Sequence, residues 1–247
     1  MPASRRHPPA SRGCHPLQRL TSQKVTILDY WHVRLADSLF VLAHRPDGKR
    51  VVQRKFLTIG LGGAVLTDLV VHRRVSLADA KVVPDDAGVV LPGLPGEFDA
   101  IVRSEARPRS AEHWVRKFRS SDVEGRVAGH AVRSGLATAE EDAVLGFIPV
   151  ARYAPNQAAL DDLAARVSDV LADRRTATDW DASLVGLCDA TGVLKKVFPG
   201  TPKSAVKSIT EGEWASEALR KVITQANAAV RNAVISTVHA NNGSQGF

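Results

Sequence analysis

Apolar residues at helical spacing constrain this chain more than any other feature, and they are densest near its C-terminal end. There Trp214, Ala218, Val222, Ala226, Val230 and Val234 follow one another in steps of four. Such a series forms one face of a long helix, expected here over about residues 212–238, and its wide apolar arc suits the centre of a bundle. Similar stripes recur upstream. Leu35, Leu39 and Leu42 form one, and Leu160, Leu163, Val167 and Val170 form another behind Asn156, a helix-capping residue type. Val123, Val127 and Ala131 share a third face, which Gly135 is placed to end. Ser110 is a further candidate cap, and Asp179 is expected to cap a helix carrying Trp180, Leu184, Leu187 and Cys188, closed by Gly192. The spacing therefore predicts a mainly α, single-domain helical bundle. With aromatic residues at only 5%, its core must be built mostly from Leu, Val and Ala.

Between the helices, Pro46-Asp47-Gly48 reads as a turn, since proline presets φ and glycine permits the reversal. A second apolar helix is expected from about residue 51 to 72. It contains Gly60, Gly62 and Gly63, each costing up to about 1 kcal/mol against alanine inside a helix. Glycines so placed imply either a close backbone approach or a later helix start. Lys81-Val82-Val83 and Val89-Val90-Leu91 flank Pro84 to Gly88, the pattern of a short hairpin. Residues 92–96 read as a loop, with helix resuming at Glu97. The apolar run from Ala143 to Val150 is short, and a strand or hairpin is the better expectation.

Charge narrows the functional classes. The net charge is +7, yet residues 1–24 contribute Arg5, Arg6, Arg12, Arg19 and Lys24 and no acid. That Pro-, Ser- and Arg-rich stretch is expected to be a disordered tail, and 241–247 a short one. The domain is placed at 25–240. Outside the N-terminal stretch, 28 basic residues face 26 acidic ones. Basic clusters nevertheless occur between Arg45 and Arg74 and between Arg103 and Arg119. They read equally as phosphate-facing patches or as solvated helix faces. No run reaches the ~18 apolar residues that span a bilayer. Cys14 and Cys188 are too far apart in context to suggest a disulfide, which favours a cytoplasmic setting.

Chemistry-bearing motifs are missing. The sequence contains no Walker A loop, His-Glu-x-x-His, Cys-x-x-Cys or Gly-x-Ser-x-Gly. Gly60-Leu61-Gly62 lacks the third glycine of a dinucleotide fingerprint, because Val65 stands in its place. Asp85-Asp86, Glu140-Glu141 and Asp161-Asp162 read as solvated turns and helix starts. The eight histidines show no ligand spacing. No enzyme, cofactor or metal is expected.

A collinear series carries a resemblance. It runs from Arg34-Leu35-Ala36-Asp37-Ser38-Leu39-Phe40 through Gly60-Leu61-Gly62-Gly63, Leu66-Thr67-Asp68-Leu69 and Arg73-Arg74-Val75. It continues with Val123-Glu124-Gly125-Arg126-Val127, Asp173-Arg174-Arg175-Thr176 and a closing helix opened by Trp214. In this order of pieces the chain resembles the Golgi phosphoprotein 3 family over roughly residues 33–238. The resemblance implies a helical bundle with a protruding apolar hairpin, peripheral to a membrane, that binds phosphatidylinositol 4-phosphate. The family's four headgroup positions fall on Gln53, Gly62, Ser121 and Glu124, none of which keeps the family residue. Arg54, Arg119 and Arg126 lie beside the vacated positions and are the candidates for a rebuilt anion site. Val144, Leu145 and Phe147 fall where the family presents apolar residues for membrane insertion or self-association. An anionic membrane lipid is thus the expected partner, with a membrane protein or a second copy as a further one. The rival readings are a winged-helix DNA binder using Arg116, Lys117, Arg119 and Arg133, and a protein–protein scaffold. Nucleic acid is the less expected partner.

Overall fold

The computed structural model describes residues 34–91, 93–144, 148–212 and 217–243, with only the backbone described at 141–144, 148–150, 217–223 and 241–243. Its centre is α2 (Arg54–Val71), in which every residue from Ile59 to Val70 is buried. Packed on it are α1 (Leu35–Leu42), α4 (Ala111–Ser120), α7 (Asp179–Thr191) and α10 (Glu217–Gly243). The glycines of α2 explain how so many helices reach one axis. A Cβ at Gly60 would meet the methyl of Thr191 in α7, one at Gly63 would meet Val230 in α10, and one at Gly62 would stand 2.8 Å from the Val115 carbonyl oxygen in α4. The close-approach reading of these glycines holds, and α2 rather than the last helix is the hub.

Expected as a one-sided stripe, α1 is instead buried all round. Its free N-terminal N–H groups meet a carboxylate from α2: Leu35 N donates to Asp68 Oδ1 at 2.9 Å and Ala36 N to Oδ2 at 3.4 Å. The Pro46–Gly48 turn forms, with Gly48 at φ 73°. Ser110 caps α4 through His113 N, and Asn156 caps α6 (Gln157–Leu171) through Ala158 N and Ala159 N. Val123, Val127 and Ala131 are fully buried on α5 (Val123–Arg133), and Gly135 follows its end at φ 70°. Gly192, at φ 81°, ends α7.

Several expectations are corrected. Lys81–Pro84 (β2) pairs not with 89–91 but with Val75–Ala78 (β1), and Arg109–Ser110 (β3) adds a third strand. The two-residue turn Asp79-Ala80 has positive φ at both positions (48° and 59°), as tight hairpins need, without the glycine that would advertise it. Val89 and Val90 are left exposed. Helix α3 (Leu94–Arg103) begins inside the expected loop, because Pro95 sits in its first turn, where a missing N–H costs nothing. Thr178, not Asp179, caps α7: its hydroxyl and N–H both donate to the Asp181 carboxylate, and Asp181 N donates back to the Thr178 hydroxyl. Two short helices, α8 (Val193–Val197) and α9 (Lys203–Glu211), precede α10 and lack the repeating stripe that would reveal them. Trp214 lies outside the described residues.

Candidate functional site

The candidate residues lead to two places: the corner where α2 and α5 begin, and the ribbon of β4 (Ala137–Val144) and β5 (Ile148–Pro155). At the corner, Arg50 in the approach to α2 and Arg54 in its first turn both reach one carboxylate, Glu124 in the first turn of α5. Arg50 Nε lies 2.9 Å from Glu124 Oε1, and Arg54 Nε donates to Oε2. Glu124 is only 5% exposed. A carboxylate that deep would be costly alone, and the two guanidiniums supply its counter-charge. In return, the hydrogen bond to Glu124 raises the Arg54 pKa. Nearby, burial lowers the pKa of His44, whose Nδ1 lies 2.7 Å from the Phe40 carbonyl oxygen.

Of the other two candidate arginines, Arg126 stands apart from this group. Arg126 Nη1 pairs with Glu97 Oε2 at 2.6 Å, and its guanidinium lies over the Phe98 ring at 5.6 Å, so it faces α3. Two residues along one helix point to nearly opposite sides, which separates Arg126 from the Glu124 group. Arg119, exposed in the last turn of α4, has no ion-pair partner among the described residues. Arg54 and Arg126 therefore answer different carboxylates, and Arg119 answers none of the described ones. The other basic clusters dissolve similarly: Lys117 pairs with Glu105 at 2.9 Å, Arg109 with the same carboxylate at 3.1 Å, and Arg116 with Glu112 at 3.5 Å. Among the described residues no group of His, Cys, Asp and Glu is arranged to hold a metal ion. Burial pushes the Cys188 thiol far up, leaving it unreactive.

The ribbon is regular antiparallel pairing from Ala137 opposite Pro155 to Val144 opposite Ile148. Its base is held to the bundle. Leu136, Ala137 and Pro155 are buried, Asn156 N donates to the Leu136 carbonyl at 2.8 Å, and Tyr153 meets Phe40 edge-on at 5.8 Å. Thr138, Ala139, Glu140 and, opposite, Ala151 are already exposed. At about 3.3 Å per residue, the five steps from the Ala139–Tyr153 pair to the last one add about 17 Å of ribbon. Val144 is placed there by its backbone; Leu145 and Phe147 lie outside the described residues.

Residues 35–226 match the model of the Golgi phosphoprotein 3 (GPP34) family, from the first residue of α1 into α10. The chain belongs to the Golgi phosphoprotein 3 family. It matches no curated protein. No described helix is long and apolar enough to cross a membrane.

The four positions on which the resemblance places the family's headgroup residues each have a physical setting of their own. Gln53 stands at the N-cap of α2 without a side-chain cap hydrogen bond. Ser121 ends α4, its hydroxyl donating to the Lys117 carbonyl at 2.9 Å. Glu124 carries a negative charge and binds two arginines itself. Gly62 has no room: even a Cβ would crowd the Val115 carbonyl. Gly62→Arg is therefore expected to separate α2 from α4 and cost roughly 1–3 kcal/mol or more, as overpacking a core does. Urea unfolding would read this as a lower midpoint; an unchanged midpoint would contradict the close approach. Sequence reasoning named Glu124 but missed its partners, because Arg50 and Arg54 lie 74 and 70 positions away and leave no local pattern.

Proposed function

We propose that this family member is a cytoplasmic, peripheral membrane protein that docks through the tip of the β4–β5 ribbon. It does so without a phosphatidylinositol 4-phosphate pocket of the family's type. The observation that carries this reading is the ribbon: a paired backbone whose base is fixed in the bundle and whose far end bears the sequence Val144-Leu145-Gly146-Phe147-Ile148. Large apolar side chains gain roughly 1.5–3 kcal/mol each on leaving water completely, so Leu145 and Phe147 together suffice for reversible attachment. Support for the second half comes from the α2–α5 corner, where Glu124 already occupies the guanidiniums that a phosphate would need. Attraction to anionic lipid then rests largely on Arg5, Arg6 and Arg12, at about 1 kcal/mol per charge near such a surface.

Co-sedimentation with liposomes tests both halves. The double variant Leu145→Asp/Phe147→Asp is expected to lose sedimentation while keeping its circular dichroism and melting temperature. Binding to vesicles with phosphatidylinositol 4-phosphate is expected to match binding to phosphatidylserine vesicles of equal charge. Retained sedimentation in the variant would overturn docking by the ribbon. A preference for the phosphoinositide would overturn the closed pocket.

A further inference from the structure

A cleft of about 570 Å³ opens between the end of α7, α8, α9 and α10, on elements separate in the chain from the ribbon. Leu194, Phe198 and Val206 give it an apolar floor, and four cations, Lys195, Lys203, Lys207 and Arg231, stand around it. Two of the cations are answered from within the lining: Arg231 lies 3.3 Å from Asp189 and Lys207 lies 3.8 Å from Glu211. Lys195 and Lys203 have no ion-pair partner among the described residues, and both are exposed to whatever enters. The two threonines of the lining do not compete as donors. Thr201 spends its hydroxyl proton on the Phe198 carbonyl at 2.8 Å, and Thr210 spends its own on the Val206 carbonyl at 2.9 Å.

We propose that this cleft binds a phosphate monoester carrying a small apolar group. The two unanswered ammonium groups match the roughly −1.5 to −2 charge of a phosphate monoester at neutral pH better than the single charge of a carboxylate. The volume lies within the roughly 300–1,000 Å³ typical of small-molecule sites. The apolar floor accounts for the ester group: inorganic phosphate alone leaves Phe198, Leu194 and Val206 uncovered. Nothing in this assignment rests on membrane docking by the ribbon. The same chemistry is offered by a soluble metabolite or by the headgroup of a lipid such as phosphatidic acid.

Titration of the full chain with phenyl phosphate, followed by amide chemical shifts, tests the proposal. Saturable shifts are expected among residues 189–211 and at Arg231, with inorganic phosphate at least tenfold weaker. Lys195→Ala/Lys203→Ala, at two exposed positions, is expected to keep its circular dichroism and lose at least tenfold in affinity. A parallel titration with monomeric short-chain phosphatidic acid distinguishes the sources. Tighter binding than phenyl phosphate places the ligand in the membrane, and weaker binding places it in solution; both depend on the same two lysines. Absence of saturable shifts with either probe would overturn the proposal, as would a double variant that binds like the unsubstituted chain. The Leu145→Asp/Phe147→Asp variant is expected to bind phenyl phosphate normally, which keeps failure of the cleft distinct from failure of the ribbon.

Discussion

Replacing Arg74 by alanine is expected to destabilise the protein by about 3–5 kcal/mol, the usual cost of stranding one member of a buried ion pair. Arg74 is buried between the β1–β2 sheet and α3. Its Nε and Nη2 donate to Asp99 Oδ2 at 3.0 and 2.6 Å, and its Nη1 donates to the Gly88 carbonyl at 3.0 Å. Asp99 is only 4% exposed, so the carboxylate left behind has little access to water. Arg103 softens the loss without replacing it: its Nε reaches Asp99 Oδ1 at 3.0 Å, but it is itself partly exposed and shared with Asp86. Arg103→Ala is accordingly expected to cost about 1 kcal/mol, nearer the range of exposed pairs. Chemical denaturation of both variants checks the order; equal losses would mean that Arg74 is no more buried than its neighbour.

The second large effect is the loss of one contribution to stability as pH rises from about 4 to about 7. Asp68 is the source. Burial is the main cause that pushes its carboxyl up to about 7, assisted by nearby Asp37 and opposed by the Leu35 and Ala36 N–H groups and by Arg34. The folded chain therefore holds this proton more tightly than the unfolded one, whose aspartates titrate near 4. The contribution is complete below the unfolded value and disappears as pH climbs through the folded one. Three units correspond to a change on the order of 4 kcal/mol. Asp68→Asn keeps an oxygen to accept from Leu35 N but cannot ionise. Its unfolding free energy is expected to lack this slope, so that the variant loses less between pH 5 and pH 8. Parallel slopes for the two proteins would remove Asp68 as the cause.

Much of the bundle was legible because its signals are local. The stripe behind Asn156, the Ser110 cap and the turn at Gly48 each involve residues within a few positions of one another, and each is found in place. The family followed from the order of such pieces. What escaped was decided at a distance or by unusual turn chemistry. Nothing in Asp79-Ala80 announces a hairpin, since neither residue is the glycine that positive φ favours, and so the strand of β2 was matched to the wrong neighbour. The basic clusters misled for a related reason. Counting Arg50, Arg54 and Arg74 along the chain sums their charge, whereas folding brings Glu124 and Asp99 from other elements to meet them. Of the three arginines proposed as a rebuilt anion site, only Arg119 is left unanswered among the described residues, and one exposed arginine is no pocket.

Among the described residues the β4–β5 ribbon has no third strand on either side. Its outer edges are therefore a template on which a stray strand from a neighbouring molecule can add. Glu140, Glu141 and Asp142 follow one another on one of those strands. Identical ribbons stacking in register would bring these like charges face to face. Acidic residues along an open edge disfavour such pairing, so this run opposes the strand addition that an unpaired ribbon invites.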